Sequence, residues 1–378
     1  MNYNIPSINQ LTNDQKELLR IFYNKDLIIQ GGPGTGKTIL AIHCALALAK
    51  AQENVTIITF NKTLTKYING TLNEKQKSKI TVITFDSWFG KICRNSTKFY
   101  IPPDQYFEIR FEKALEFSNI IEKPKANNVI IDEAQDLPYG AHKFINSYFK
   151  RHLVFIDENQ SINSSNIIKL SQVKKAYNIP DYVFTLTQNF RNTHLIYQFS
   201  NSFSRSNIKT ELLNNDFGLP PNLIKLKDKN EIINEIKQKI LENPSKSIGI
   251  VYPHYPNSNE FNFLVKSLKE SLSYSQENLK RVTFNYGKNS ELDFFDNNVH
   301  ILTTNTVKGL EYDIVIIPFV DNLFFTNEID ENIRKIYVAI TRAKSEVYSY
   351  YFQDKSNSFY LMRHKEYELS VVDGNELI

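Results

Sequence analysis

The sequence predicts an α/β protein of two tandem units, each built on a mostly parallel sheet. Three observations carry that expectation. Short runs rich in Ile, Val and Leu recur without polar alternation, as strands buried on both faces do. Stretches of helical periodicity separate these runs, which is the pattern of strand–helix–strand crossovers. The pattern then restarts in the second half. A length of 378 residues suits two domains of ordinary size. The units are expected at 1–180 and 181–378.

In the first unit, residues 27–30, 55–60, 80–85, 128–131 and 153–156 read as strands, and residues 38–49 as the helix after the first of them. In the second, residues 222–226, 248–251, 299–303, 313–317 and 346–351 read as strands, with helices over 231–241 and 260–272. Residues 273–298 are polar and read as a loop or a small excursion.

Composition narrows the classes. Hydrophobic residues make up 41% and charged residues 23%, which is globular rather than disordered. Two cysteines, Cys44 and Cys93, exclude a disulfide framework and a four-cysteine zinc site, and they fit a reducing cytoplasm. The start of the chain is not a basic segment followed by an apolar one, and no apolar run is long enough to span a bilayer, so no membrane partner is expected. A net charge of +4 is mildly basic, so affinity for a polyanion has to come from one groove rather than from bulk charge. Only ten of the 45 basic residues are arginine, which makes each arginine in a motif informative.

Gly31-Gly32-Pro33-Gly34-Thr35-Gly36-Lys37-Thr38 fits the phosphate-loop pattern G-x-x-x-x-G-K-[ST], set between a strand and a helix. Around Gly32, Gly34, Thr35 and Gly36 the backbone N–H groups can turn inward on phosphate oxygens, at the positive end of a helix. Lys37 is placed to reach the β- and γ-phosphates of ATP. Thr38 offers a hydroxyl to Mg²⁺, a hard cation that prefers oxygen. A second strand ends in Asp132 and Glu133. Asp132 would hold the metal's water shell, and Glu133 would orient and deprotonate an attacking water. A third strand ends in Asp157-Glu158-Asn159-Gln160, where Asp157 and Gln160 face the same edge and Gln160 can sense the γ-phosphate.

Together these strings resemble the UvrD/Rep-like superfamily 1 helicases. Asp132-Glu133-Ala134-Gln135-Asp136 resembles motif II of that family. Leu11-Thr12-Asn13-Asp14-Gln15 resembles the Q motif, in which Gln15 would read adenine. Thr59-Phe60-Asn61-Lys62 resembles motif Ia, and Thr84-Phe85-Asp86-Ser87 the next single-strand contact. Residues 157–162 resemble motif III, Asn189-Phe190-Arg191 motif IV, Val307-Lys308-Gly309-Leu310-Glu311-Tyr312 motif V, and Tyr337-Val338-Ala339-Ile340-Thr341-Arg342-Ala343 motif VI. The eight stand in the family's order, and the resemblance runs from about residue 8 to residue 350.

The resemblance implies two RecA-like domains with ATP in a cleft between them. It makes Arg191 and Arg342 arginine fingers; the ordinary alternative is a surface ion pair. It puts Gly309 and Glu311 near the γ-phosphate and the nucleic-acid path. Phe60, Asn61, Thr84 and Phe85 match positions that touch single-stranded DNA, with RNA retained as a candidate. For Phe60 and Phe85, base stacking and core packing at strand ends both stand. Trp88 reads as helix packing, and His43, His152 and His194 as structural histidines.

The chain departs from the family in three ways. The aromatic and arginine usual after motif III are replaced by Ser165 and Asn166. Only 44 residues separate Ser87 from Asp132, and about 26 separate Leu272 from Val299, where the family inserts accessory domains. Asn305 stands where motif V often has histidine, and Ile39 follows the phosphate loop where arginine is frequent.

The expected function is an ATP-hydrolysing helicase or translocase core on single strands. The alternative is a regulatory ATPase that controls a partner such as a nuclease, a role the resemblance allows in anti-phage defence. A degenerate ATP-binding scaffold is the third reading.

Overall fold

The computed structural model describes residues 5–95, 127–161, 168–179, 182–204, 210–213, 216–253, 258–274, 279–284, 298–323, 329–354 and 358–372. Ser165 and Asn166 lie outside them. The chain divides into two compact units at Gln188 and Asn189; Glu211 goes with the first and Leu212 onward with the second.

In the first unit, β1 (Leu27–Gly31), β2 (Val55–Thr59), β3 (Ile80–Thr84), β4 (Asn128–Ile131), β5 (Arg151–Ile156) and β6 (Val183–Leu186) form one sheet in the order β3-β2-β4-β5-β1-β6. Every pairing is parallel. The lack of alternation in these strands has a plain cause: successive residues enter different cores. Ile28, Ile58, Ile131 and Val154 pack on one face, and Ile29, Ile57, Ile130 and Leu153 on the other. Burying each such side chain contributes about 1.5–3 kcal/mol.

The helices of this unit are α1 (Asn13–Ile21), α2 (Lys37–Lys50), α3 (Lys62–Thr71), α4 (Glu74–Lys77), α5 (Phe85–Asn95), α6 (Tyr139–Tyr148) and α7 (Leu170–Tyr177). Local chemistry starts several of them. The Thr12 hydroxyl accepts from the Gln15 N–H, while the Gln15 side chain accepts from the Thr12 N–H, a reciprocal cap on α1. The Asn61 side chain caps α3 through the Leu64 N–H at 2.6 Å.

A separate two-stranded sheet pairs β7 (Gln188–Asn189) with β8 (Glu211–Leu212). In the second unit, β9 (Asn222–Lys225), β10 (Ile248–Tyr252), β11 (Val282–Phe284), β12 (Val299–Thr303), β13 (Tyr312–Pro318) and β14 (Ala343–Tyr351) pair in parallel in the order β11-β12-β10-β13-β14-β9. Its helices are α8 (His194–Asn201), α9 (Lys229–Glu242), α10 (Asn259–Leu272), α11 (Thr304–Val307), α12 (Ile329–Ile340) and α13 (Phe359–Val372). Asp228 caps α9 and Ser258 caps α10. Strand β11 lies within residues 273–298, expected as a loop or a small excursion; residues 275–278 and 285–297 of that stretch lie outside the described residues. Three residues on a sheet edge are too few to show a periodicity.

One turn occurs in both units. β4 and β13 are each followed by a non-glycine residue in the left-handed region, Glu133 (φ 57°) and Phe319 (φ 59°). Each then enters a single 3-10 turn, Ala134–Asp136 or Val320–Asn322.

Among the described residues no helix is long and apolar enough to cross a membrane.

Candidate active site

Strands β4, β5 and β1 are neighbours in the first sheet and run the same way. Their C-terminal ends therefore set three chain segments side by side: Asp132-Glu133, Asp157 to Gln160, and the glycine-rich loop. That edge is where open parallel sheets bind ligands.

The loop's shape follows from its glycines. Gly34 and Gly36 have φ of 74° and 83°, a region costly for residues with a Cβ. At Gly36 a Cβ would also lie 2.7 Å from Gln15 Nε2. Gln15 itself donates to the Thr35 carbonyl at 3.1 Å, and the Thr35 hydroxyl donates to the Gly32 carbonyl at 2.8 Å. So Gln15, expected to read adenine, is tied to the loop and to its own helix cap.

Lys37 is buried, and its ammonium donates to the Gly31 and Gly32 carbonyls at 2.7 and 2.9 Å and pairs with Asp157 at 3.4 Å. The Asp157 carboxylate also accepts from Gln160 Nε2 at 2.6 Å. The Thr38 hydroxyl donates to Asp132 at 2.7 Å. Burial, and then the charge of Glu133, push the Asp132 carboxyl up to about 7, while the Thr38 hydroxyl and Lys37 act the other way.

Gln135 was not singled out in the sequence, yet it joins two motifs. Its amide N–H donates to Glu133 at 2.5 Å, and its carbonyl oxygen accepts the Asp157 backbone N–H at 3.0 Å. His142 lies in no motif. Its ring bonds the Ala134 carbonyl oxygen and the Tyr177 hydroxyl.

The expected nucleic-acid contacts separate. Phe60 is half-buried against the core, and Asn61 caps α3. The Thr84 hydroxyl accepts the Ser87 N–H and donates to the Ser87 hydroxyl at 2.8 Å. Phe85 is packed in the core, 2% exposed, against Phe89 and Trp88. Helix α5 starts at Phe85 and turns its ring inward, so core packing is the reading the structure supports there. Trp88 is helix packing as expected.

In the second unit, motifs IV, V and VI meet. Arg191 donates to Glu311 at 3.1 Å and to the Thr341 carbonyl at 3.2 Å. Lys344, unremarked in the sequence, pairs with Glu311 at 3.0 Å. Burial favours the neutral form of Glu311, but the charges and hydrogen bonds of Arg191 and Lys344 prevail and hold its carboxyl at about 2. Gly309, with φ of 77°, makes the bend that precedes Glu311. Arg342 is buried, donating from Nε to the Val338 carbonyl at 3.1 Å and from its guanidinium to the Thr341 hydroxyl at 3.4 Å.

Two parallel-sheet units, one bearing a phosphate loop with strand-end carboxylates and the other a cluster of motif arginines, define a UvrD-like helicase with two RecA-like domains. Residues 24–251 match the family Schlafen group 3, DNA/RNA helicase domain, and the chain belongs to that family. Residues 255–354 match the UvrD-like helicase C-terminal domain. Among solved structures, one similar chain is the C-terminal domain of a possible DNA helicase from Lactobacillus plantarum WCFS1. It is 19% identical with a TM-score of 0.31, over 43% of this chain and 87% of that one. No curated protein matches the chain.

Proposed function

We propose that the chain is a nucleic-acid-stimulated ATPase, the motor core of a helicase or translocase acting on single strands. The observation that supports this most is the meeting of Lys37, Thr38, Asp132, Glu133, Asp157 and Gln160 at three adjacent strand ends.

Mg²⁺ suits the donors present. Thr38 and Asp132 give one hydroxyl and one carboxylate, an all-oxygen pair that leaves other positions to water and phosphate. Bound there, Mg²⁺ would neutralise charge on phosphate oxygens. The backbone of Gly32, Gly34, Thr35 and Gly36 holds phosphate at the start of α2, and Lys37 adds a full positive charge. Glu133, steadied by Gln135, takes the proton of the attacking water. Gln160 senses the γ-phosphate, and Gln15 reads adenine. Arg191 and Arg342 supply the arginine fingers, with Gly309 and Glu311 coupling them to the nucleic-acid path.

Asn61 and Thr84 open helices after β2 and β3, at the same sheet edge, where helix N-termini favour phosphate. With Phe60 they form the single-strand contact. The substrate is single-stranded DNA in the first instance, and the family description, which covers DNA and RNA, keeps RNA in the test.

The short intervals where related helicases insert accessory domains favour a second reading, an ATP-driven switch that controls a partner such as a nuclease; a cytoplasmic place and a role in anti-phage defence are proposed with it from the family resemblance alone. The test is ATP hydrolysis with and without single-stranded DNA or RNA, using Lys37→Ala and Glu133→Gln as controls, beside displacement of a bound oligonucleotide. Stimulated hydrolysis with displacement supports the motor. Stimulated hydrolysis without displacement supports the switch. No hydrolysis by the unmodified chain overturns both.

A further inference from the structure

Two buried side chains outside the phosphate site form a polar relay to it. His142 on α6 is fully buried. Its Nε2 lies 3.0 Å from the Ala134 carbonyl oxygen and its Nδ1 2.9 Å from the Tyr177 hydroxyl. A carbonyl oxygen can only accept, so Nε2 carries the proton and Nδ1 accepts from Tyr177. Burial holds the imidazole neutral, moving it down to about 4 against the Ala134 and Leu137 carbonyls.

Tyr177 ends α7, and the first N–H of that helix, on Leu170, donates to Glu158 at 2.6 Å. Helix α7 is thus tied at its start to the turn after β5, and at its end, through His142, to the turn after β4. Ala134 follows Glu133, whose left-handed backbone is strained for a residue with a Cβ and must be held by its surroundings. The 3-10 turn is closed by the Asp136 N–H on the Glu133 carbonyl at 3.0 Å and the Leu137 N–H on the Ala134 carbonyl at 3.1 Å. His142 adds a side-chain donor to that same Ala134 carbonyl.

We propose that His142 and Tyr177 are positioning residues for ATP hydrolysis: they brace the Ala134 turn so that Glu133 keeps its aim. This rests on the ATPase reading above. Neither residue touches the reacting atoms, so their loss should slow chemistry while leaving binding of ATP intact.

The experiment is steady-state ATP hydrolysis by full-length His142→Leu, His142→Gln and Tyr177→Phe, with Lys37→Ala as the baseline. Misaiming a catalytic group by a fraction of an ångström lowers kcat by about tenfold. His142→Leu should show that loss and Tyr177→Phe a loss of about three- to tenfold, with KM for ATP within about twofold. His142→Gln keeps an N–H for the Ala134 carbonyl and should recover most of the rate. Unchanged kcat in Tyr177→Phe and His142→Leu, or a raised KM at constant kcat, overturns the proposal. Should His142→Leu fail to fold, the nearly isosteric Tyr177→Phe decides. Unmodified chain that hydrolyses while the variants match it overturns this inference alone. Unmodified chain no faster than Lys37→Ala overturns it together with the ATPase reading.

Discussion

Gln135 donates to the Glu133 carboxylate at 2.5 Å while its own carbonyl oxygen takes the N–H of Asp157, so one amide side chain spans the ends of β4 and β5. All three residues are buried. Replacing Gln135 with Leu removes that donor from Glu133 and that acceptor from Asp157. The expected result is a fall in kcat of about ten- to a hundredfold, with KM for ATP changed by less than about threefold. Steady-state kinetics check it, and an equal rise in KM would assign Gln135 to substrate binding instead.

The ion pairs of Glu311 set a pH dependence. Burial favours its neutral form, but Arg191 and Lys344 hold the carboxyl at about 2. A carboxyl that ionises more readily folded than unfolded stabilises the fold above its unfolded value of about 4.3, and that stability is lost as pH falls through the folded value. The side chain is 36% exposed, so screening limits the effect of Glu311→Gln to about 1 kcal/mol at neutral pH. The gap in Tm between the two proteins should hold from about pH 8 to about pH 5, narrow below about pH 4 and close near about pH 2. A gap that widened on acidification would contradict the assignment.

Gly36→Ala should injure the loop in two ways. The left-handed backbone costs about 1–2 kcal/mol once a Cβ is present, and the new methyl meets Gln15 Nε2 at 2.7 Å. Thermal melting should show the loss, and fluorescent-nucleotide binding should weaken. Adding Gln15→Ala relieves the contact but not the backbone strain. The double variant should therefore be more stable than the two single effects summed.

Phe85→Ala tests core packing against base contact. Emptying a buried aromatic site costs about 3–5 kcal/mol. Denaturant unfolding should show a loss of that order. Affinity for single-stranded DNA, measured where the variant remains folded, should stay within about twofold of the unmodified chain. A large loss of affinity at unchanged stability would restore Phe85 to the nucleic-acid surface.

The candidate phosphate loop is legible in the sequence because its signals are contiguous. Eight consecutive residues write the loop, and Asp132-Glu133 close an unbroken apolar run. The bridge made by Gln135 was not legible. It depends on β4 and β5 being neighbours, which brings together residues 22 apart in the chain. His142 and Tyr177 are 35 apart, and each sits in an amphipathic helix where it reads as ordinary filling. Strand β6 is not legible in the sequence: it is four residues long and only Phe184 and Leu186 of it are buried, too short a run to stand out. Phe85 was ambiguous because a strand end and a helix start call for the same residue, and only the helix start decides which way its ring turns.

The turn that carries Glu133 returns after β13 with Phe319 in its place. An aromatic ring can neither accept a proton nor bind a cation's water shell, and no glycine-rich loop accompanies it in the second half of the chain. The two corners thus share a shape and differ in capacity. On the proposed ATPase reading only the first corner takes nucleotide, and titration should saturate at one equivalent per polypeptide.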